Sequence, residues 1–530
     1  MSTNIRMTRL KKKLELYNRI VIYGAGHLAQ ILNAELVENC ILAKYCIVTH
    51  KNKKEEKFQN MPLFEFNDCI LDMQKDDVIT LIAVTELYEE EIEKTLLRHE
   101  VKNYLFVTRF VRQATSFDIY KEKSQGEYID EISEWYVDKL KLTWNNVAIT
   151  RKRLEHIIIE KKYDENKIVF VVGNVAPRVI KMLEALGNKG YKIKVLFYPN
   201  VLKNNIFTER IVHLSDDYTW CESIEEVMYH IISSNSKVVH IFSHAAISYM
   251  SCILLNQKAL FPKLVFEQYD IINSMYIQTY TSKKNFEDER YCLEHAEWIC
   301  CRGNEQEFLI QKMHYKIRGN IIKFFDYCQD RMMTKEKQYN KKELSLCYAG
   351  GIASEREWPG ASYACFLEFA EICEKNKCHF HVYPSRWDEN RFADYIELDG
   401  KSEYFHFHKP VSFEQLRKEL SQYDYGVHPI KSDFINKEIN GYYTKEKFIY
   451  AATNHFYDYL DAGLPIISAI PVKFAEYFVK EGVLINWVIE EYDFNKLRRR
   501  KRELYEKVIK VREKLQIQNH IQELNDFYNN

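Results

Sequence analysis

The sequence lacks an excess of charge of either sign. Its 530 residues contain 75 lysines and arginines against 76 aspartates and glutamates, which gives a formal net charge of −1. A general nucleic-acid-binding protein is usually strongly basic. We therefore expect no nucleic-acid partner.

Long apolar runs are also missing. No stretch approaches the roughly 18 apolar residues that are needed to cross a bilayer, and the segment from Met1 to Arg6 has no apolar signal core. The thirteen cysteines are scattered without a paired CxxC ladder, and the adjacent Cys300 and Cys301 are poorly placed for a structural disulfide. These absences predict a cytoplasmic protein with buried, reduced thiols.

Short apolar strands alternate with helical segments in three parts of the chain. The parts open at Arg19–Tyr23, at Lys167–Val172 and at Leu344–Ala349, and such alternation is typical of doubly wound parallel sheets. The fold class is therefore α/β with three Rossmann-like units. The predicted organisation is an N-terminal Rossmann-like domain (1–112), a helical connector (113–165), a second unit (166–335), a third unit (336–490) and a C-terminal helix (491–530).

The first unit carries a dinucleotide-binding fingerprint. Gly24 and Gly26 follow the first strand and open a helix, with Ala29 in the third glycine position. The fingerprint also requires an acidic residue at the end of the second strand to hold the ribose, and this segment ends in Thr49 and His50 instead. We expect a Rossmann unit used for packing, assembly or a second nucleotide rather than a working NAD site.

The segment from Thr453 to Ile467 is the most informative part of the sequence. Phe456 and Leu460 share one side of a short predicted helix, and three polar residues cluster on the opposite side: Asn454, Asp458 and Asp461. We expect Asn454 to cap this helix and Gly463 to end it. A carboxylate near the start of such a helix, pointing away from the core, can accept two hydrogen bonds from a ribose diol.

This segment resembles the nucleotide-sugar-binding signature of GT-B glycosyltransferases, in the donor domain that forms their C-terminal half. Asp458 stands where that family places its ribose-binding carboxylate, five residues before Gly463. The resemblance covers roughly residues 166–530 and implies that the second unit binds the acceptor and the third unit binds the donor. The extra first unit resembles the small Rossmann-like domains of bacterial polysaccharide-biosynthesis proteins.

The resemblance implies a metal-independent enzyme that meets the charge of the leaving diphosphate with backbone N–H groups and cations. The candidate donor-binding residues lie at predicted strand ends, in a polar loop and on the signature helix: Gly350, Gly351, Arg356, Arg386, His428, Lys447, Asn454 and Asp458. No Asp-x-Asp motif at a strand end indicates a metal, and we expect no cofactor beyond the nucleotide-sugar substrate.

A general base is needed if the enzyme inverts the sugar configuration. Two candidates follow strands of the second unit, His244 and Asp270, and Glu294 in the same unit is the third. Arg178 is a candidate for the acceptor side of the same region. Retaining enzymes of the family often carry a glutamate eight residues before the ribose carboxylate, but Tyr450 stands there, so retention and inversion both stay open.

The predicted function is transfer of a sugar to a hydroxyl of a bacterial surface glycan, such as capsule or lipopolysaccharide. The basic run from Lys496 to Arg502 indicates weak attraction to an anionic membrane surface, which would suit a lipid-linked glycan acceptor. The alternatives are a non-catalytic nucleotide-sugar-binding scaffold, a GT-B enzyme that transfers a phosphate-containing group, and an NAD-linked oxidoreductase that uses the first unit. The oligomeric state stays open.

Overall fold

A computed structural model describes residues 10–11, 13–38, 40–49, 56–84, 86–107, 124–140, 145–160, 162–198, 206–244, 248–275, 283–329, 343–354, 365–385, 387–428, 445–468, 473–486 and 493–530. The chain forms two compact units. One contains residues 1–147 with 221–226, and the other contains residues 148–220 and 227–530.

The first unit is built on a six-stranded sheet with the order β3-β4-β2-β1-β5-β6, parallel except for the β3–β4 pair. Gly24 ends β1 with a φ of +116°, and a Cβ there would lie 2.6 Å from the carbonyl oxygen of Ala83, so only glycine fits. The elements are β1 Arg19–Tyr23, α1 His27–Glu38, β2 Tyr45–Val48, β3 Lys57–Phe58, β4 Met61–Glu65, α2 Phe66–Met73, β5 Val78–Ile82, α3 Glu86–Arg98, β6 Tyr104–Phe106 and α4 Gln125–Lys139.

The second sheet has seven parallel strands in the order β13-β12-β11-β10-β7-β8-β9. Its central strands are buried on both faces, as is usual where helices cover a parallel sheet. The elements are α5 Asn145–Glu160, β7 Asp164–Val172, α6 Pro177–Asn188, β8 Lys192–Phe197, α7 Ile206–Leu214, β9 Asp217–Trp220, α8 Ile224–Ser233, β10 Ser236–Ser243, α9 Ser248–Asn256, β11 Lys263–Gln268, α10 Ile272–Met275, α11 Lys283–His295, β12 Trp298–Cys301, α12 Glu305–Gln311 and β13 Asn320–Lys323.

The third sheet has six parallel strands in the order β16-β15-β14-β17-β18-β19. Ser412 caps α15 by accepting a hydrogen bond from the Gln415 backbone at 3.2 Å, as the capping-box spacing predicts. The elements are β14 Leu344–Gly350, α13 Leu367–Lys375, β15 Cys378–Pro384, α14 Ala393–Asp399, β16 Phe405–Phe407, α15 Phe413–Leu420, β17 Tyr425–His428, α16 Lys445–Tyr450, α17 Asn454–Asp461, β18 Ile466–Ser468, α18 Glu476–Lys480 and β19 Leu484–Asn486.

The C-terminal tail connects the second and third sheets. The predicted C-terminal helical tail is present as two helices, α19 Phe494–Lys514 and α20 Ile517–Asn529, separated where the backbone of Cys328 bonds that of Leu515 and Ile517. Helix α19 packs on the third sheet, and α20 returns to the second, where the Tyr528 hydroxyl contacts His240 at 2.7 Å. Two parallel sheets joined by a returning C-terminal helix form a GT-B pair.

The α/β class with three Rossmann-like units is therefore confirmed. The sequence patterns missed the β3–β4 hairpin and several short helices. Lys445 and Lys447 belong to α16, so the prediction of a polar loop there is wrong. The described cysteines are mostly buried, as expected. Within the described part of the chain, no helix combines the length and apolarity that crossing a membrane requires.

Candidate functional site

Helix α17 lies where the second and third sheets meet. Its N-cap is Thr453, which makes no side-chain cap bond, so the prediction of Asn454 as the cap is wrong. The Asn454 side chain instead accepts hydrogen bonds from Tyr269 at 3.0 Å and from Arg302 at 3.4 Å. Both donors follow strands of the second sheet, so the signature helix begins against the strand ends of the opposite sheet.

Asp458 has a charged partner that the sequence did not indicate. The Nζ of Lys181, on α6 of the second sheet, lies 3.0 Å from one carboxylate oxygen. The Lys181 side chain is 1% exposed, whereas the Asp458 side chain is 21% exposed. The carboxylate therefore joins the two halves of the GT-B pair and keeps part of its surface accessible.

The polar side of α17, which includes Asp461, was expected to face away from the core, but Asp461 does not. It is buried and bonds to Arg417 at 3.0 Å and to the Gln329 backbone at 2.9 Å, with Lys181 and Arg512 farther away at 3.5 and 3.6 Å. The prediction failed because the cations that compensate this carboxylate lie far from it in the sequence. Of the two aspartates on α17, Asp461 is the structural one.

The turn after β14 lies against the start of α17. Gly350 has a φ of +157°, and a Cβ there would lie 2.6 Å from Nε2 of His455. A Cβ on Gly351 would meet nothing within 4 Å among the described atoms, while its carbonyl accepts a bond from Tyr348 at 2.8 Å. The glycine turn is thus shaped by His455 on one side and open on the other, which suits close approach of a phosphate.

His455 and His428 lie side by side at this turn, with ring centroids 5.9 Å apart. Burial lowers the pKa of His428 to about 3, and the neighbouring His455 lowers it further. The buried Nδ1 of His455 has no hydrogen-bond partner among the described residues. Two uncharged imidazoles with an available ring nitrogen therefore border the predicted donor region.

Arg302 is a residue that sequence reasoning missed. It follows β12, is 5% exposed, stacks 4.1 Å above the ring of Tyr269 and donates to the carbonyl of Ala452. Its Nε and Nη1 have no hydrogen-bond partner within the described part of the chain, and the nearest carboxylate oxygen, on Asp326, is 3.9 Å from Nε. A buried guanidinium with two nitrogens that make no hydrogen bond is suited to bind an anionic ligand.

Asp270 interacts electrostatically with His244, Lys447, Arg302 and Glu305, and we call these five residues the strand-end cluster. Burial lowers the pKa of Lys447 to about 7, and the negative charge of Asp270 offsets only part of this shift. Burial also lowers the pKa of His244, again opposed by Asp270. Two of the predicted residues, the base candidate His244 and the donor contact Lys447, therefore lie within electrostatic reach of the base candidate Asp270.

Glu305 is the second residue that the sequence did not single out. It begins α12, is 4% exposed and accepts a bond from the Ala452 backbone at 3.2 Å. Burial raises the pKa of its carboxyl to about 7, although Arg302 acts in the opposite direction. Gly303 is required beside it, since a Cβ would lie 2.5 Å from Oε2 of Glu305 and 3.0 Å from Ala452. A carboxyl that titrates near neutrality suits proton transfer.

Two other candidates have different surroundings. Glu294, near the end of α11, accepts bonds from Arg290 at 3.1 Å and from the Lys316 backbone at 3.0 Å. Arg178 is 1% exposed and is bonded to Glu267, Asp326 and the Phe325 carbonyl. The expectation that Arg178 shapes an acceptor surface is wrong, because its guanidinium is enclosed in the core.

Two predicted donor contacts, Arg356 and Arg386, lie outside the described residues. In the first unit, Gly24 and Gly26 connect β1 to α1 as the fingerprint predicts, and Thr49 at the end of the second strand contacts the Tyr23 hydroxyl at 2.9 Å. His50 lies outside the described part, so the second nucleotide site stays a prediction.

Several cations of the basic run from Lys496 to Arg502 make intramolecular contacts. Lys501 is buried and pairs with Asp424 at 2.8 Å, and Arg498 donates to the Asn376 carbonyl at 2.7 Å. Lys496 and Arg499 remain exposed. Fewer cations than the run contains are therefore available to an anionic surface.

Comparison with solved structures finds similar chains at low sequence identity. An O-GlcNAc transferase variant from Thermobaculum terrenum aligns with a TM-score of 0.41 and 10% identity over 83% of this chain and 87% of its own. The pneumococcal O-GlcNAc transferase GtfA, solved with UDP and GlcNAc, gives 0.47 and 10% over 68% and 99%. A putative UDP-N-acetylglucosamine 2-epimerase from Listeria monocytogenes gives 0.39 and 11% over 65% and 90%.

No protein-family model and no curated protein matches the sequence.

Proposed function

We propose that the protein is a glycosyltransferase that moves a sugar from a nucleotide-diphosphate-sugar donor to a hydroxyl of a bacterial surface glycan. The observation that carries the proposal is the meeting of the strand-end cluster with the glycine turn and α17, at the carboxyl ends of two parallel sheets. Ligands of open α/β sheets bind at this edge.

The donor diphosphate lies between the two halves in this proposal. Lys447 and the unused donors of Arg302 face its charge, and the Gly350–Gly351 turn allows its phosphates to approach the backbone. As the glycosidic bond forms, negative charge grows on the leaving diphosphate, and cations already held in place stabilise it without further rearrangement. Asp458 binds the ribose through the oxygen that Lys181 leaves available. No metal takes part.

The acceptor hydroxyl loses a proton during transfer. In an inverting reaction His244 takes this proton, because its lowered pKa keeps the ring neutral near pH 7, and Asp270 stabilises the imidazolium that results. Glu305, with a pKa of about 7, is the alternative base. The acceptor is a glycan or a lipid-linked glycan in the cytoplasm, at the inner face of the membrane where the exposed cations of α19 favour anionic lipid.

The two aspartates of α17 provide a matched test. A thermal-shift screen with UDP- and GDP-sugars identifies the donor, because a ligand that binds only the folded state raises its melting temperature. Asp458→Asn should abolish that shift and lower the unliganded melting temperature little, since Asp461 still compensates Lys181. Asp461→Asn should lower the unliganded melting temperature strongly while the remaining folded protein still binds donor.

The proposal fails if Asp458→Asn retains the full ligand-induced shift. It also fails if Asp458→Asn destabilises the unliganded protein as much as Asp461→Asn does, because the carboxylate would then be structural. His244→Gln should keep donor binding and lose turnover in a donor-hydrolysis assay, which separates binding from catalysis.

A non-catalytic nucleotide-sugar-binding scaffold is the second candidate. The ion pair between Lys181 and Asp458 favours it, since one carboxylate oxygen already serves the junction of the two halves. Isothermal titration that shows donor binding, together with the absence of donor hydrolysis and transfer for every acceptor tried, would support the scaffold over the enzyme.

A further inference from the structure

A row of histidines lies on one face of the third sheet, at its edge. His379 and His381 belong to β15, His406 belongs to the edge strand β16, and His408 directly follows it. The strands are parallel with His381 opposite His406. Because side chains alternate along a strand, the four histidines share one face, while the phenylalanines between them lie in the core on the other face.

The ring nitrogens converge. Nδ1 of His379 lies 2.9 Å from Nε2 of His406, and Nδ1 of His381 lies 3.0 Å from Nε2 of His408. One ring nitrogen from each of His379, His381 and His406 falls within 4.8 Å of the other two. All three residues are partly exposed, so an ion from solution can reach them.

An independent feature orients His379 for coordination. Its Nε2 lies 3.1 Å from a carboxylate oxygen of Glu343, whose side chain is 58% exposed. An N–H on Nε2 that donates to this carboxylate leaves the lone pair on Nδ1, the atom that faces His406. Histidines that bind metals commonly donate their second N–H to a carboxylate in this way, which fixes the tautomer and raises the basicity of the ligand.

The alternative is a pair of imidazole hydrogen bonds with no ligand. Each short N–N contact shares one proton, because one nitrogen must donate and the other must accept. A neutral imidazole binds metal through the lone pair of one ring nitrogen and keeps its N–H on the other. Metal binding would therefore break the N–N contact and move the shared proton to the other nitrogen of the donating ring.

A second cluster has spacing that would suit metal ligands, but its carboxylate already has a charged partner. His240, Glu267 and Cys300 are fully buried, and Glu267 already accepts bonds from Arg178 at 2.5 Å and contacts His240 at 3.1 Å. Its carboxylate is compensated by a guanidinium, so it does not need an ion. His379, by contrast, contacts His406 and the carboxylate of Glu343.

We propose that His379, His381 and His406 bind one divalent transition-metal ion of the group that prefers imidazole, which includes Zn²⁺, with Glu343 positioning His379. Water completes the coordination, as in three-ligand zinc sites. The ion would join the edge strand β16 to β15 through side chains. This site does not depend on the glycosyltransferase proposal, because no residue of the strand-end cluster takes part.

The test uses the full chain, freed of metal by dialysis against a chelator and titrated calorimetrically with ZnCl₂. We expect one ion per chain. X-ray absorption should show nitrogen ligands at about 2.0–2.1 Å from zinc. The double variant His379→Ala/His406→Ala should lose this site, whereas His156→Ala, an exposed histidine of α5, should keep it.

Glu343→Gln tests the positioning role. Because the residue is exposed, the variant should fold normally, and loss of the carboxylate should weaken zinc binding by roughly 10- to 100-fold. Equal zinc stoichiometry and affinity in the wild type and the double variant would overturn the proposal, as would sulfur ligands in the absorption spectrum. If the double variant does not fold, unchanged affinity in Glu343→Gln and in His381→Gln overturns it as well.

Discussion

Two buried arginines in the GT-B pair have opposite surroundings. Arg178 is bonded through all three nitrogens, with Glu267, Asp326 and the Phe325 carbonyl among its partners. Arg302 is nearly as buried, yet it uses Nη2 for the Ala452 carbonyl and Asn454, and its other two nitrogens have no hydrogen-bond partner among the described residues. Asp326 lies between them, 3.3 Å from Arg178 and 3.9 Å from Arg302.

The difference distinguishes a buried arginine whose hydrogen bonds are complete from one whose hydrogen bonds are not. Burying a guanidinium is costly unless carboxylates and carbonyls replace its water. Arg178 has these replacements, so its role is complete in the unliganded protein. Arg302 follows a strand and contacts the signature helix at Asn454, where a phosphate could supply the missing acceptors. Incomplete hydrogen bonding at a strand end is thus the feature that points to a ligand.

The largest effect is expected from Arg178→Met. Removing the guanidinium leaves Glu267 buried without its main counter-charge, and breaking a buried pair in this way typically costs about 3–5 kcal/mol of unfolding free energy. Urea denaturation should show a clearly lower midpoint. Arg210→Met is the control: its partner Glu184 is 3.7 Å away and both are about a third exposed, so the loss should be about 0–1 kcal/mol.

Arg302→Met should reduce activity more than stability. Its loss removes the hydrogen bonds to the Ala452 carbonyl and to Asn454 and the stack on the Tyr269 ring. The carboxylate that it pairs with at 3.9 Å keeps a closer counter-charge in Arg178, so the urea midpoint should fall less than in Arg178→Met. Turnover with the identified donor should fall by about 100-fold or more, the usual result of deleting one preorganised donor to a developing anion. If Arg302→Met destabilises the protein as strongly as Arg178→Met and leaves turnover unchanged, the two arginines play the same structural role.

A smaller effect is expected from the titration of Lys447. Its pKa is about 7 instead of 10.5 because it is buried, and a diphosphate binds the protonated form better. Donor affinity should therefore weaken as the pH rises above about 7, approaching tenfold per pH unit. Calorimetry between about pH 6 and pH 9 measures this profile, and Lys447→Arg, which stays protonated, should flatten it.

The free energy of unfolding should change with pH in the opposite direction to donor affinity. Between about pH 7 and pH 10.5 the unfolded chain holds a proton on Lys447 that the folded chain has released. This residue therefore makes the folded state more stable, not less, as the pH rises. If the affinity for the donor does not change with pH over the range measured by calorimetry, Lys447 does not contact the donor.

Much of the fold could be predicted from the sequence because its signals are local. Apolar strands and their alternation with helices revealed the three sheets, and the spacing of Phe456 and Leu460 located α17. Short elements such as the β3–β4 hairpin carry too few residues for a clear period. The break between α19 and α20 was missed because it depends on backbone bonds from Cys328, which is distant in sequence.

The site was predictable only in part. Residues after strands were found because the carboxyl ends of parallel strands meet at one edge, which led to His244, Asp270 and the Gly350–Gly351 turn. Arg302 and Glu305 also follow a strand, in Cys301-Arg302-Gly303-Asn304-Glu305, and the same rule could have found them. The alternating histidines of β15 and β16 were visible as His-x-His pairs, but their convergence needs the register of two strands.

The sequence alone determined which segments become strands and helices, and which residues follow them, because those properties depend on neighbours a few positions away. Tertiary structure decided what each charge does. Asp458 and Asp461 lie three residues apart on one helix, yet Lys181, 277 positions from Asp458, and Arg417 leave the first partly exposed and enclose the second. The energy of a carboxylate depends on its distance to cations and to water, and these distances exist only after the chain has folded.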